Sequence, residues 1–203
     1  MEASTNEPPP LRLPLLVLVL LLVLFIPILP LRFLNSHNAK TTSMKTSTKP
    51  EFVYTIYINT TPEKLWSALT DEETIPRYWF GNSVKSSWAT ADVVQSFDKD
   101  DETLDWDGEI LESTPPHKLV FTFRVEGRDE APSQVTYLIE PAQSVGIGPT
   151  GNAVKFTVIH EHFAPDSQIV HGVSLGWPGI LSNLKTMLET GSPLGLNWQP
   201  QGK

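Results

Sequence analysis

The 203-residue sequence contains no cysteine. This absence excludes disulfides, thiolate nucleophiles and every zinc site that uses cysteine ligands. Basic residues are also scarce, with 15 lysines and arginines against 23 aspartates and glutamates, and no basic run is longer than two. Because nucleic-acid-binding proteins concentrate basic residues on one surface, the sequence predicts no nucleic-acid partner.

One long apolar run lies between Leu13 and Leu34, and residues 13–31 carry no charge. A membrane-spanning helix needs roughly 20 apolar residues, but three prolines interrupt this run. Residues 1–43 are therefore predicted to be a leader, either a membrane anchor through residues 13–34 or an upstream extension that precedes Met44. A cleaved signal peptide is a weaker alternative, because no small-residue cleavage site follows. We expect a cytoplasmic domain, since an anchor with more basic residues after it than before it keeps that side in the cytoplasm.

Beyond the leader, the sequence predicts a linker at residues 44–51, one folded domain at 52–194 and a tail at 195–203. A strand-like run is followed by two helix-start signals, then by alternating apolar and polar residues, and finally by a helical stripe. The predicted elements are a strand at 52–59, short helices from Thr60 or Thr61 and from Thr70, strands at 83–89, 93–97 and through 104–163, and a helix with an apolar stripe from Trp177 to Leu188.

Three motifs suggest bound metals or cofactors, but none has the context that such a site needs. Eight acidic residues at 98–112, Asp105 among them, lack the ligand order of a calcium loop and alternate with apolar residues like the exposed face of a strand. Residues 146–151 have the glycine spacing of a dinucleotide loop but precede a predicted strand rather than a helix. His160 and His162 lack an evident third ligand. The sequence therefore predicts no metal and no cofactor.

Several segments together resemble a known family. Residues 57–70 (YINTTPEKLWSALT) resemble the first strand and helix of the SRPBCC (START-like) superfamily. More narrowly, they are similar to the branch homologous to the C-terminal domain of the activator of the 90-kDa heat-shock chaperone ATPase, and the similarity covers about residues 50–194. The other matching segments are 106–112 (WDGEILE), 115–119 (PPHKL), 135–141 (VTYLIEP), 157–161 (TVIHE), 176–178 (GWP) and 181–185 (LSNLK).

This resemblance implies an α+β helix-grip fold, in which a curved antiparallel sheet of six to seven strands wraps around a long C-terminal helix, with two short helices after the first strand. It also implies a cavity between sheet and helix. The expected function is noncatalytic, either binding of a hydrophobic small molecule or a chaperone-ATPase-activator-like role with a chaperone as partner. The alternative is a cyclase, dehydratase or hydrolase that acts on an apolar substrate in the same cavity. The predicted core includes Trp66, Phe121, Phe123, Phe156, Leu181 and Leu184.

Following the strand alternation inward predicts a cavity with aromatic walls and polar groups on Tyr137 and His160. These two residues are expected to orient a ligand, and in the enzyme alternative His160 is the general base. Each of these residues also has a purely structural interpretation, because aromatic residues at core spacing usually only pack. The predicted ligand-binding residues are Trp79, Phe80, Trp106, Phe121, Phe123, Tyr137, His160, Trp177 and Leu181.

Overall fold

The computed structural model describes residues 52–100, 102–142 and 152–197. The predicted leader at 1–43, the linker at 44–51 and the whole glycine-rich motif at 146–151 lie outside these residues, as does the end of the tail. Within the part of the chain that is described, no helix is both long and apolar enough to span a membrane.

The described residues form seven strands and three helices. The strands pair throughout in antiparallel fashion, in the order β1-β7-β6-β5-β4-β3-β2. This arrangement with a long final helix confirms the predicted α+β helix-grip fold. The elements are β1 (Phe52–Ile58), α1 (Pro62–Thr70), α2 (Ile75–Tyr78), β2 (Ser83–Lys85), β3 (Val93–Phe97), β4 (Leu104–Thr114), β5 (Lys118–Val125), β6 (Ser133–Pro141), β7 (Val154–Glu161) and α3 (Ile169–Thr190).

Helix α1 begins where the threonine–proline signal predicts. The Thr61 hydroxyl accepts a hydrogen bond from the Lys64 backbone N–H at 3.3 Å, which satisfies one of the free donors in the first turn. Leu65 and Leu69 are buried on the inner face of the helix. Trp66 differs from the expectation of a core position, because it lies at the flank of this face and is only partly buried against the core. The other five predicted core residues are buried.

Helix α3 begins at Ile169, two turns before the predicted stripe, and continues through Pro178. A proline inside a helix removes one backbone hydrogen bond, and burial of Trp177, Leu181 and Leu184 against the sheet offsets this loss. The helix ends at Gly191, whose φ of 89° is the left-handed conformation that glycine adopts readily at this position. The longer helix provides two additional turns next to the β3–β4 hairpin.

The β3–β4 pairing contains a bulge that places Asp105 outside the regular alternation. Ser96 pairs with Trp106, whereas the next residue of β3, Phe97, pairs with Leu104. Asp105 therefore has no partner on β3, and a bulge of this kind redirects the side chain that it carries. Asp105 is exposed, as its place in the alternating pattern predicts, and its carboxylate accepts a hydrogen bond from Asn82.

Gly108 lies where β4 and β5 approach closely. A Cβ atom at this position would lie 1.7 Å from the backbone oxygen of Thr122, closer than any real contact. The next backbone N–H, that of Glu109, donates to the Thr122 hydroxyl at 2.8 Å. The close approach holds β4, which carries Trp106 two residues before Gly108, against β5.

Candidate functional site

A cavity of about 610 Å³ lies between one face of α3, the β3–β4 hairpin, β5 and the residues that follow α2. Its α3 side consists of residues spaced three and four apart, so a single helical face contributes it. Glycines alternate with larger side chains along this face. Since a glycine has no side chain, each one leaves open space between its larger neighbours. The lining residues from α3 are Ile169, Gly172, Val173, Gly176, Trp177 and Ile180.

Five of the nine predicted ligand-binding residues line this cavity, and their side chains come from four separate parts of the chain. They are Trp79, Phe80, Trp106, Phe123 and Trp177. Trp79 is central to the group, since its ring lies 5.3 Å from that of Trp177 and 6.1 Å from that of Trp106. The cavity therefore has a continuous aromatic wall that joins the sheet to α3.

The other four predicted residues do not line the cavity. Phe121, Tyr137, His160 and Leu181 are all buried in the core behind the wall. Phe121 packs against Trp106, and Tyr137 packs against Trp177, with ring centres 5.8 and 5.9 Å apart. The strand alternation predicts correctly that these side chains point inward, but α3 covers this part of the inner face. Their contribution in the structure is to support wall residues.

His160 is fully buried, and both of its ring nitrogens have partners. The indole Nε1–H of Trp177 donates to Nδ1 at 3.2 Å, and Nε2 lies 2.8 Å from the hydroxyl of Ser133. Because an indole can only donate, Nδ1 must be the acceptor and Nε2 must carry the proton. The Ser133 hydroxyl in turn donates to the Phe123 backbone oxygen at 3.2 Å. This chain of hydrogen bonds ends at two residues of the cavity wall, Trp177 and Phe123.

Burial lowers the pKa of His160 to about 3, so its imidazole is neutral near physiological pH. Protonation of Nδ1 would direct a second N–H at the indole donor of Trp177 and break the hydrogen bond between them. His160 is therefore arranged to hold Trp177 in position. A general base must come within hydrogen-bond reach of its substrate, and this imidazole lies behind the wall instead.

The polar groups at the cavity belong to residues that the sequence analysis did not predict to bind a ligand. They are Asn82, Asp98, Lys99 and Asp105. Lys99 and Asp105 are exposed, so these groups form the mouth rather than the floor. Asn82 Nδ2 donates to Asp105 Oδ2 at 3.0 Å, which fixes the carboxylate at the rim. The bulge in β4 brings Asp105 to the cavity, and the alternating pattern of the sequence does not predict this bulge.

The pKa of Asp105 is raised above its usual value. The main cause is loss of hydration where the carboxylate meets the surrounding protein; the hydrogen bond from Asn82 acts in the opposite direction, and the charge of Asp98 raises the pKa further. Asp98 has a structural role in the hairpin, since its Oδ1 accepts the Asp100 backbone N–H at 3.1 Å. Among the described residues the two carboxylates therefore differ, because backbone N–H groups donate to Asp98 and a side-chain amide donates to Asp105.

Comparison with known families identifies the domain. The family described as Activator of Hsp90 ATPase homolog 1-like protein (AHSA1) matches residues 59–189, which run from the end of β1 almost to the end of α3. This chain belongs to the AHSA1 family. The match includes every residue that lines the cavity.

Solved structures share the AHSA1-family fold. A protein from Mesorhizobium loti is 26% identical with a TM-score of 0.56, and the similarity covers 69% of this chain and 97% of that one. An HSP90 activator from Plasmodium falciparum is 23% identical with a TM-score of 0.55, covering 70% and 97%. DynU16, from the dynemicin biosynthetic locus, is 19% identical with a TM-score of 0.57, covering 75% and 55%. The comparison with curated proteins found no match.

Two further features belong to this AHSA1-family domain. Asn183 is buried in α3, and its amide donates to the Tyr78 backbone oxygen and also pairs with both backbone groups of Leu196. The segment after α3 is thereby held against the helix, although the sequence placed Leu196 in the tail.

Among the residues that the structure describes, no group of three histidine, aspartate or glutamate side chains lies close enough to hold a metal ion.

Proposed function

We propose that this domain is a noncatalytic binding module that holds an apolar small molecule in the cavity between α3 and the sheet. The observation that carries the proposal is the aromatic wall of Trp79, Trp106, Phe123 and Trp177 around about 610 Å³ of space. Ligand sites are typically apolar cavities of about 300 to 1,000 Å³ with a few polar groups for orientation. Both the volume and the distribution of polar residues fit this description.

The wall also contains an unpaired polar group. Trp106 is only 3% exposed, and its indole Nε1 has no hydrogen-bond partner among the described residues. An unpaired buried donor costs about 1 to 3 kcal/mol. A bound molecule that carries an acceptor would stabilise the protein by satisfying this donor, so we expect the ligand to be apolar with at least one oxygen or nitrogen acceptor.

The enzyme alternative receives less support from the same geometry. Catalysis by proton transfer needs an acid or base that faces the substrate inside the cavity. The ionisable residues of the lining are Asp98, Lys99 and Asp105 at the mouth, and His160 lies behind the wall. The inner surface of the cavity therefore provides apolar contacts for a ligand but no acid or base that faces it. This arrangement favours a carrier over an enzyme.

Gly172 provides a direct test, because it lines the cavity and a Cβ atom there would meet nothing within 4 Å. The Gly172→Phe variant should fill the cavity, whereas Gly172→Ala leaves most of it open and serves as the matched control. The neutral probe is 2-(1-naphthyl)ethanol, whose roughly 13 non-hydrogen atoms at about 0.4 kcal/mol each predict a Kd near 100 μM. Calorimetric titration of the full-length protein measures this affinity.

Binding to the wild type and to Gly172→Ala, with at least a tenfold loss in Gly172→Phe, is the expected result. Thermal unfolding of the variants shows whether each is folded. Equal affinity in a folded Gly172→Phe variant would place the probe elsewhere and overturn the proposed site. Turnover of the probe or of an ester derivative, lost in Asp105→Asn, would instead support the enzyme alternative.

A further inference from the structure

The mouth of the cavity combines aromatic rings with a carboxylate that forms no ion pair with any described residue. Asp105 stands at this mouth with Trp79 and Trp106 in the adjoining wall. We propose that the cavity prefers ligands in which a protonated amine adjoins the apolar ring system, with the ammonium group held by Asp105. This inference rests on the proposed function and adds to it the chemical class of the ligand.

Asp105 differs from the next carboxylate on the same strand. Asp107 forms an ion pair with Arg124, in which Nε donates to Oδ1 at 2.8 Å. Within the described residues Asp105 forms no ion pair, and Asn82 is the side chain that donates to it. The bulge in β4 separates the two roles, because it directs Asp105 to the cavity while Asp107 remains on the outer face of the sheet.

The electrostatic environment of Asp105 favours a cation. Lost hydration and the nearby charge of Asp98 both destabilise its ionised form, as its raised pKa reflects. A carboxylate in this situation gains more from a bound ammonium group than a fully hydrated one does. The net charge of the chain is −8, which also attracts cationic ligands at long range.

The aromatic wall adds to this preference, because the faces of tryptophan rings attract ammonium groups. Trp79 and Trp106, with ring centres 6.1 Å apart, line the same cavity as Asp105, so we expect an amine held by Asp105 to meet this aromatic wall. Lys99 is the opposing charge at the rim, but its exposed side chain is free to turn into solvent. The balance of charges and rings therefore favours a cation over an anion.

Three probes of nearly equal shape test the inference in the full-length protein. They are 2-(1-naphthyl)ethylamine, 2-(1-naphthyl)ethanol and 1-naphthylacetate, which are cationic, neutral and anionic at neutral pH. We expect the amine to bind about tenfold more tightly than the alcohol and the acetate to bind most weakly. Asp105→Asn should remove the preference for the amine, and Lys99→Gln should increase it about threefold.

Asp107→Asn is the matched control, since it removes the same charge two residues along β4 and should leave the preference unchanged. Equal affinity of amine and alcohol for the wild type, with alcohol binding still lost in Gly172→Phe, would overturn this inference while leaving the proposed function intact. A preference that persists in folded Asp105→Asn would also overturn it. If none of the three probes binds, both proposals fail.

Discussion

The buried neutral imidazole of His160 predicts a specific weakness of the fold in acid. The unfolded chain takes up a proton near the ordinary histidine pKa of 6.5, whereas the folded chain resists protonation until about pH 3. Burial is the cause, and no carboxylate among the described residues bonds to the ring to offset it. Stability from this residue is therefore complete above pH 6.5 and is lost progressively as the pH falls toward 3.

The size of the effect follows from the two pKa values. Each pH unit in which only the unfolded state is protonated costs about 1.4 kcal/mol. Between about pH 6 and pH 4 the free energy of unfolding should fall by roughly 2.5 kcal/mol because of His160 alone. This is a large fraction of the 5 to 15 kcal/mol that is typical of a domain.

Two non-titrating variants isolate this contribution. His160→Asn provides an amide oxygen near the position of Nδ1, where the Trp177 indole donates, and His160→Gln provides an amide N–H near that of Nε2 toward Ser133. Urea unfolding followed by tryptophan fluorescence should show both variants less stable than the wild type at neutral pH, by about 1 to 3 kcal/mol.

At acidic pH this gap should close, because the variants lack the proton uptake that destabilises the wild type. The other histidines are shared by all three proteins and cancel in the comparison. Stability curves that run parallel from neutral pH to pH 4 would refute the reasoning. That result would mean that His160 has the same pKa in the folded and unfolded states, as a ring accessible to water would.

Three other substitutions have defined outcomes. Gly108→Ala should destabilise the domain by about 3 kcal/mol or more in chemical denaturation, because its methyl group would collide with the Thr122 backbone oxygen; a loss below about 1 kcal/mol would show that β4 shifts freely. Gly172→Ala should raise the free energy of unfolding by up to about 1 kcal/mol, since it lies in open space within a helix; destabilisation would indicate a hidden contact. Asn183→Leu should cost about 1 to 3 kcal/mol and expose the segment around Leu196 to limited proteolysis, because both backbone groups of Leu196 lose their partner; unchanged cleavage would show that Asn183 does not hold this segment.

The fold was predictable because its main signals are local. Alternation through β4 to β7 identifies the strands, and the threonine before Pro62 identifies the start of α1. The sequence predicts the apolar stripe of α3 from Trp177 onward and bent or irregular first turns around Gly172 and Pro178. The structure has one helix through both residues, because tertiary burial overrides such propensities. Trp66 was overestimated as a core residue because helical spacing gives the face of a side chain but not the depth to which neighbours cover it.

The candidate site was only partly predictable for the same reason. Period-two alternation places His160 and Tyr137 on the inner face, but whether an inner residue borders a cavity depends on which residues of α3 pack above it. The position of Asp105 at the cavity could not be predicted from this alternation, because a bulge redirects one side chain and the sequence pattern does not indicate where a bulge occurs. All five aromatic residues of the cavity lining were among the predicted ligand-binding residues, whereas the polar residues at the mouth were not.

Trp79, Trp106 and Trp177 lie with neighbouring rings 5.3 and 6.1 Å apart, so the cavity wall contains a built-in optical reporter. At these separations excitation passes between indoles faster than they emit, and light absorbed by any of the three is emitted from the ring of lowest energy. Trp177 differs from Trp106 because its N–H is hydrogen-bonded to a neutral imidazole, whereas that of Trp106 has no partner among the described residues. A molecule that enters between these rings changes their coupling directly, and its arrival would be visible in the near-ultraviolet circular dichroism of the unlabelled protein.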